Sequence, residues 1–317
     1  MYNSSKRENC NKRKVNFFMV GAAKCGTTSM FRYLLQHPDV TWGEIKEPEF
    51  FSTKYVNLPH KGPKAKEFDE VRTYRIEDYE FLYRNVGAEK IIGDASTTYI
   101  YHEQCADDIK KYNPDAKILI MLRNPAVRAF SAYMHMKRDQ CEKESFLDVY
   151  NQSNERVKMN YVGLFDYAGR SLYADRVEHY INIFGKDKVK VIVLEEFEKD
   201  KDKVMDELCD FLEISHFKFD LSRNYNVSGE SLNKRKTRMI ENMHMIFNQL
   251  IPKRIRYRIP QNLRWGIREF FYKKGRGDNI VKVQMTDDER KIILSNYLED
   301  IKKLEIVLGR KLECWHE

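Results

Sequence analysis

The apolar run Val15–Val20 leads into Gly21-Ala22-Ala23-Lys24-Cys25-Gly26-Thr27-Thr28, and a helical pattern follows at once. This order of strand, small-residue loop and helix constrains the fold more than any other stretch. Small residues let the backbone curl, successive N–H groups can converge on one anion, and the helix N-terminus adds its dipole. Met30, Tyr33, Leu34 and Leu35 carry the helical spacing, and His37-Pro38 closes it. Against the phosphate-loop pattern G-x-x-x-x-G-K-[ST], Gly21 and Gly26 are in frame and Thr28 takes the hydroxyl position. The lysine is displaced: Thr27 stands where it belongs, and Lys24 lies earlier in the loop. An ordinary ATPase needs that lysine at the β/γ-phosphates, which argues against one here.

Further along the chain, Lys90–Gly93, Lys117–Leu122 and Lys188–Leu194 read as short buried strands. Helical patterns cover about Ala126 to Lys137, Leu172–Phe184, Lys201–Leu212 and Asp287–Leu308. The last has a stripe of Ile292, Ile293, Tyr297, Ile301, Leu304 and Leu308. Lys54–Arg75, charged and broken by Pro59, Gly62 and Pro63, reads as a long loop or lid. Strands alternating with helices predict an α/β fold: a P-loop-like parallel sheet flanked by helices on both faces, with a helical basic C-terminal region. No internal repeat or Gly/Ser linker divides the chain, which favours one domain after a flexible tail at residues 1–14.

The strand Lys117–Leu122 tests the loop independently. A kinase or NTPase needs an acid near such a strand end to hold magnesium. Here the strand runs into Arg123-Asn124-Pro125. An arginine cannot ligate a metal but can hold a phosphate bidentately. Together the two segments predict a site for an anionic nucleotide with no metal requirement.

Charge and cysteine usage narrow the classes further. The chain has 317 residues, 42% of them hydrophobic, enough for a real core. Six dispersed cysteines, Cys10, Cys25, Cys105, Cys141, Cys209 and Cys314, form no CxxC pair, so neither a zinc site nor a redox dithiol is indicated. They fit a reducing compartment. No apolar run approaches the ~18 residues of a membrane span, and Val15–Val20 is too short for a signal core. A soluble, cytoplasmic protein is expected. The net charge of +8 is local: Asn233–Arg276 holds 13 Lys/Arg and two acids, whereas the remainder is slightly acidic. Such a patch serves polyanions of several kinds.

At these residues the chain resembles the sulfotransferases that use 3′-phosphoadenosine-5′-phosphosulfate (PAPS). Lys24-Cys25-Gly26-Thr27-Thr28-Ser29 is similar to that family's 5′-phosphosulfate loop, and Leu122-Arg123-Asn124-Pro125 through Ser131-Ala132-Tyr133 to its 3′-phosphate segment. Lys46-Glu47-Pro48-Glu49-Phe50-Phe51, Gly93-Asp94-Ala95-Ser96-Thr97-Thr98-Tyr99 and Leu308-Gly309-Arg310-Lys311 with Trp315 resemble the heparan sulfate sulfotransferase branch and its bacterial relatives. The resemblance runs from about residue 15 to the end. It implies a single sulfotransferase domain over 15–317, with 233–276 a basic arm or lid within it.

The resemblance also implies roles. Lys24 would steady the leaving oxygen. Ala23, Lys24, Cys25, Gly26, Thr27, Thr28 and Ser29 would hold the 5′-phosphosulfate, and Arg123 and Ser131 the 3′-phosphate. Lys274-Gly275-Arg276 resembles the stretch that closes over the nucleotide's 3′ side, with Asn226–Gly229 an alternative closing segment. Glu47 is the candidate base, because the similar branch uses a glutamate there; His102 is the runner-up, because another branch uses histidine. Lys46 either orients Glu47 or touches the acceptor. Asp94 either faces the cleft or caps the next element, and Arg128 either supports the site or lies on the surface. Expected ligands are PAPS as donor and 3′-phosphoadenosine 5′-phosphate (PAP) as product, without metal, and a hydroxyl of a glycan or glycolipid as acceptor. The basic arm would line a glycan groove, lie on an anionic membrane surface or be solvated; nucleic acid is disfavoured. A P-loop nucleotide kinase and a non-enzymatic polyanion-binding module stand as the alternatives.

Overall fold

β1 (Phe17–Gly21) is buried along its whole length, as a strand must be when it has neighbours on both sides and helices above and below. Its parallel neighbours are β3 (Ile91–Asp94) and β4 (Lys117–Leu122). β2 (Val40–Trp42) and β5 (Val189–Val193) complete a five-stranded parallel sheet in the order β2-β3-β1-β4-β5. The computed structural model describes residues 13–70, 72–222, 230–231, 280–281 and 283–316.

α1 (Thr27–Leu34) joins β1 to β2. The path from β2 to β3 carries α2 (Phe50–Thr53), α3 (Ala65–Asp69) and α4 (Ile76–Phe81). α5 (Gln104–Tyr112) precedes β4, and α6 (Pro125–Arg138), α7 (Phe146–Asn151), α8 (Ser153–Lys158) and α9 (Ala174–Phe184) lead to β5. α10 (Leu194–Lys199) and α11 (Lys201–Leu212) follow it, and α12 (Asp287–Ser295) and α13 (Leu298–Leu308) come last. From β1 the chain steps one way along the sheet, and from β4 it steps the other. Right-handed crossovers therefore put the helices on opposite faces. Tyr33 of α1 meets Phe197 of α10 at 6.0 Å in one layer, and α5, α9 and α13 pack together in the other. The two directions diverge between β1 and β4, the switch point at whose strand carboxyl ends open α/β sheets place their ligands.

Several expectations needed correction. The sequence predicts four strands, and β2 is a fifth. It lies against Gly93 of β3, where a Cβ would come within 2.4 Å of the Trp42 ring. Lys54–Arg75 is no free lid: it contains α3, Lys61 forms a bridge to Tyr161, and Arg72 pairs with Glu49 at 2.7 Å. The single C-terminal helix is two. It breaks at Tyr297, whose hydroxyl donates to Ala168 O at 3.0 Å, and Ile292 of the expected stripe faces solvent. Arg13 and Lys14 belong to the folded body, bonding Gly87 O and Tyr112 O at 2.9 Å each. Arg128 is fully buried, with Nε donating to Ser171 Oγ and Nη2 to Tyr167 O, both at 2.6 Å. No helix among the described residues is long and apolar enough to cross a membrane.

The Gly93–Trp42 contact gives a direct test of how β2 is held. Gly93→Ala should destabilise the protein by about 1–3 kcal/mol through overpacking, read from urea unfolding; an unchanged midpoint would contradict this packing.

Candidate functional site

Because every strand of the main sheet points the same way, the segments that follow β1, β2, β3 and β4 collect at one edge. The first is the glycine loop. Ala22 N–H donates to Met121 O at 2.7 Å, so the β1–β4 ladder continues one residue past the strand. Gly26 takes φ 84° as the N-cap of α1, and no side chain caps that helix. A Cβ there would lie 2.8 Å from Leu194 Cδ1, so both dihedral and space call for glycine. The uncapped helix start leaves the α1 N-terminus available to an anion.

Two loop members face inward. Ala23 N–H donates to Tyr101 OH and Cys25 N–H to Ala22 O, each at 3.2 Å. The Cys25 thiol lies 3.8 Å from Tyr173 OH in the core, and burial pushes its pKa up to about 12, so it stays neutral. Both residues shape the loop from within. Thr27 is buried, and Thr28 and Ser29 are half-buried in the first turn of α1.

Lys24 is the electrostatic centre. Its Nζ lies 3.3 Å from His135 Nδ1, and His135 Nε2 lies 3.2 Å from Asp139 Oδ2. When Lys24 is charged its ammonium has no lone pair, so Nδ1 then accepts and the ring proton sits on Nε2 facing Asp139. Burial, with Arg138 and Arg123 beside it, lowers Lys24 from 10.5 to about 7, against the pull of Asp139 and Glu47. Burial and Lys24 push His135 down to about 3, so the ring is neutral. Burial acts to raise Asp139, but the His135 hydrogen bond and Arg138, at 2.9 Å, outweigh it and hold the carboxyl well below its usual range.

Arg123 reaches this centre from β4. Its Nη1 donates to Lys24 O at 3.4 Å, and Asn124 starts α6 at once by accepting from Ala126 N–H and Val127 N–H at 3.1 and 3.3 Å. Ser131 is buried on α6. Ser131, His135 and Asp139 recur at four-residue spacing and so share a helix face. Sequence reasoning named Ser131 and missed the other two, although that spacing was the available signal.

The segment after β2 brings Glu47, at φ 62°, to the same edge. Its Oε1 pairs with Lys46 Nζ, and its Oε2 accepts from Thr97 Oγ1 at 3.3 Å. The Lys46 side chain is 9% exposed and that of Glu47 34%, so the lysine orients a carboxylate that stays open to the cleft. Asp94 neither faces the cleft nor caps an element. It is buried and accepts from Ser96 Oγ, Tyr99 OH and Tyr79 OH at 2.7, 2.8 and 2.9 Å, while burial lifts it to about 6. Ser96 Oγ in turn accepts from Glu49 N–H at 3.1 Å, fixing the turn that carries Glu47. Burial lifts Glu49 to about 7 against its partner Arg72. His102 stacks on Tyr55 at 6.4 Å and, among the described residues, makes no hydrogen bond to Lys24 or Glu47. Burial and Arg170 lower it to about 4. Lys274, Gly275, Arg276, Asn226–Gly229 and the whole arm 233–276 lie outside the described residues. No cluster of three His, Cys, Asp or Glu placed for a metal ion occurs among the described residues.

The depressed Lys24 pKa is measurable. One reductively ¹³C-methylated lysine should titrate near pH 7, and Asp139→Asn should lower its midpoint further; a Lys24 midpoint at the ordinary lysine value would refute the electrostatic account.

The switch point of this parallel α/β sheet thus gathers a glycine loop, Lys24 and Arg123. A profile of the Sulfotransferase family matches residues 16–218, and the chain belongs to that family. It is similar to the solved sulfotransferase from Alicyclobacillus acidocaldarius, with 32% identity, a TM-score of 0.75, and coverage of 96% of this chain and 100% of that one. Carbohydrate sulfotransferase 15 of Rattus norvegicus is 24% identical over 253 residues, 63% of this chain and 44% of that protein. Membrane-associated sulfotransferase kil1 of Dictyostelium discoideum is 22% identical over 290 residues, 67% of this chain and 59% of that protein. The chain thus spans less than two thirds of the length of these curated relatives.

Proposed function

We propose that the protein transfers the sulfuryl group of PAPS to a hydroxyl of a carbohydrate or glycolipid acceptor. The observation that carries this reading is the meeting of Lys24 and Arg123 at the uncapped start of α1, with Glu47 across the same edge. Two cations, one of them half-buried with its pKa lowered to about 7, fit a multiply anionic nucleotide. The relatives' names, among them carbohydrate sulfotransferases, support a glycan acceptor.

The donor supplies an activated sulfuryl group on a good leaving phosphate. The chain's residues do the rest. Lys24 holds positive charge at the leaving oxygen as the sulfur–oxygen bond breaks. His135, neutral and fixed by Asp139, orients the ammonium. Glu47, held by Lys46 and Thr97, takes the acceptor proton as the new oxygen–sulfur bond forms. Arg123 and Ser131 take the 3′-phosphate.

The test is calorimetry combined with turnover. PAP should bind without magnesium, and Arg123→Ala should weaken PAP on the order of 10- to 100-fold while sparing the nucleotide lacking the 3′-phosphate. Glu47→Gln should cut transfer by about 10²–10⁴-fold at unchanged PAP affinity; Lys24→Ala should lose both. Preference for ATP–magnesium would instead favour a kinase, and activity surviving Lys24→Ala would favour a polyanion-binding module. Normal turnover by Glu47→Gln would promote His102.

Binding should also be linked to pH. Free Lys24 titrates near 7, and a bound anion favours its charged form. Above pH 7 binding must therefore take up a proton, and PAP affinity should fall as pH rises. Calorimetry at pH 8 in buffers of different ionisation enthalpy should show that uptake; identical heats would remove Lys24 from the anion contact.

A further inference from the structure

Arg123 is aimed from the start of a helix, yet its own peptide unit is held from outside that helix. The carbonyl of Arg123 accepts from Tyr173 OH at 3.0 Å, and the next N–H, of Asn124, donates to Glu195 Oε1 at 2.9 Å. Both polar groups of one peptide bond are thus fixed by side chains from two other elements. These two holders share a neighbour. Trp315 Nε1 donates to the second Glu195 oxygen at 3.1 Å, and the Trp315 ring lies 5.9 Å from the Tyr173 ring. Trp315 is fully buried although it sits near the last residue of the chain.

The C-terminal segment is built to deliver it there. Buried Glu305 of α13 accepts from Leu312 N–H at 2.8 Å, Lys311 Nζ at 2.9 Å and His316 Nε2 at 2.8 Å, folding the chain back after Gly309. Gly309 takes φ 68°, the conformation the reversal needs. Arg310 then pairs with Glu196, the residue beside Glu195.

We propose that Trp315 is a positioning residue for the 3′-phosphate subsite, acting through Glu195 and Tyr173 on the Arg123–Asn124 peptide. The proposal rests on the reading that Arg123 binds the 3′-phosphate. A carboxylate that accepts from both an indole and a backbone N–H cannot rotate, so the Asn124 N–H, and with it the start of the Arg123 side chain, has one direction. Removing the indole N–H frees Glu195 to turn, and the guanidinium loses its fixed origin. The loss should fall on the nucleotide's 3′-phosphate and spare its other groups.

The experiment compares the affinities of adenosine 3′,5′-bisphosphate and adenosine 5′-monophosphate for the full chain by calorimetry. Trp315→Phe keeps a ring against Tyr173 and deletes only the donor. It should lower the ratio of the two affinities by about 3- to 10-fold, the worth of one hydrogen bond, with adenosine 5′-monophosphate binding unchanged. Glu195→Gln, which has a single acceptor oxygen to share, should do the same and serves if Trp315→Phe does not fold. A merely structural Trp315 would lower the melting temperature and leave the ratio intact; that result overturns the proposal. Arg123→Ala is the control. If it abolishes the preference while Trp315→Phe and Glu195→Gln keep it, the positioning role fails and the Arg123 reading stands. If Arg123→Ala keeps the preference, the Arg123 reading fails and the proposal falls with it.

Discussion

The parallel pairing of β1 with β4 is the interaction on which the remainder depends. It runs one hydrogen bond beyond β1, from Ala22 N–H to Met121 O at 2.7 Å. That extra rung brings the glycine loop beside Arg123 before any side chain is considered. A slip of one residue would turn every side chain of the strand to the other face. β1 is buried along its whole length, and its pairing with β4 shifts register between Met19 and Gly21, where the strand gives way to the loop.

Electrostatic tension follows from that placement. Lys24, Arg123 and Arg138 are gathered where burial already penalises charge. Asp139 and Glu47 offset part of the repulsion, and an anionic ligand would offset the rest. Such preorganisation places the cost in folding, so that the site need not rearrange when it is used. The opposite wall is organised differently. Buried Asp94 gathers two tyrosine hydroxyls and Ser96, and Ser96 fixes the turn that presents Glu47.

Much of this was legible in the chain. β1, and β4 after Lys117, are continuous apolar runs, the signature of strands buried on both faces, whereas the edge strand β5 is apolar apart from Lys190. The glycine loop and Arg123 were legible because their chemistry depends on local residue types. β2 was not: Val40-Thr41-Trp42 is too short for any period to register, and its place depends on Gly93 making room for Trp42. The break at Tyr297 was hidden for a related reason. The apolar spacing continues through it, and Tyr297 is buried there with its hydroxyl bonded to Ala168 O and Tyr150, contacts that no local spacing reveals.

What the sequence by itself determined is the set of residue types at hand: a glycine loop without the usual lysine position, an arginine where a metal-binding acid would stand, and a glutamate in a lysine- and aromatic-rich turn. These follow from side-chain type and short-range spacing. The tertiary structure decided which groups act together. Lys24 and His135 stand 111 residues apart in the chain, and Glu195 and Trp315 120 apart, yet each pair is in hydrogen-bonding contact. The lowered Lys24 pKa, the neutral His135 ring and the fixed Asn124 amide all come from burial and through-space charge. Those quantities exist only once distant segments have been packed together.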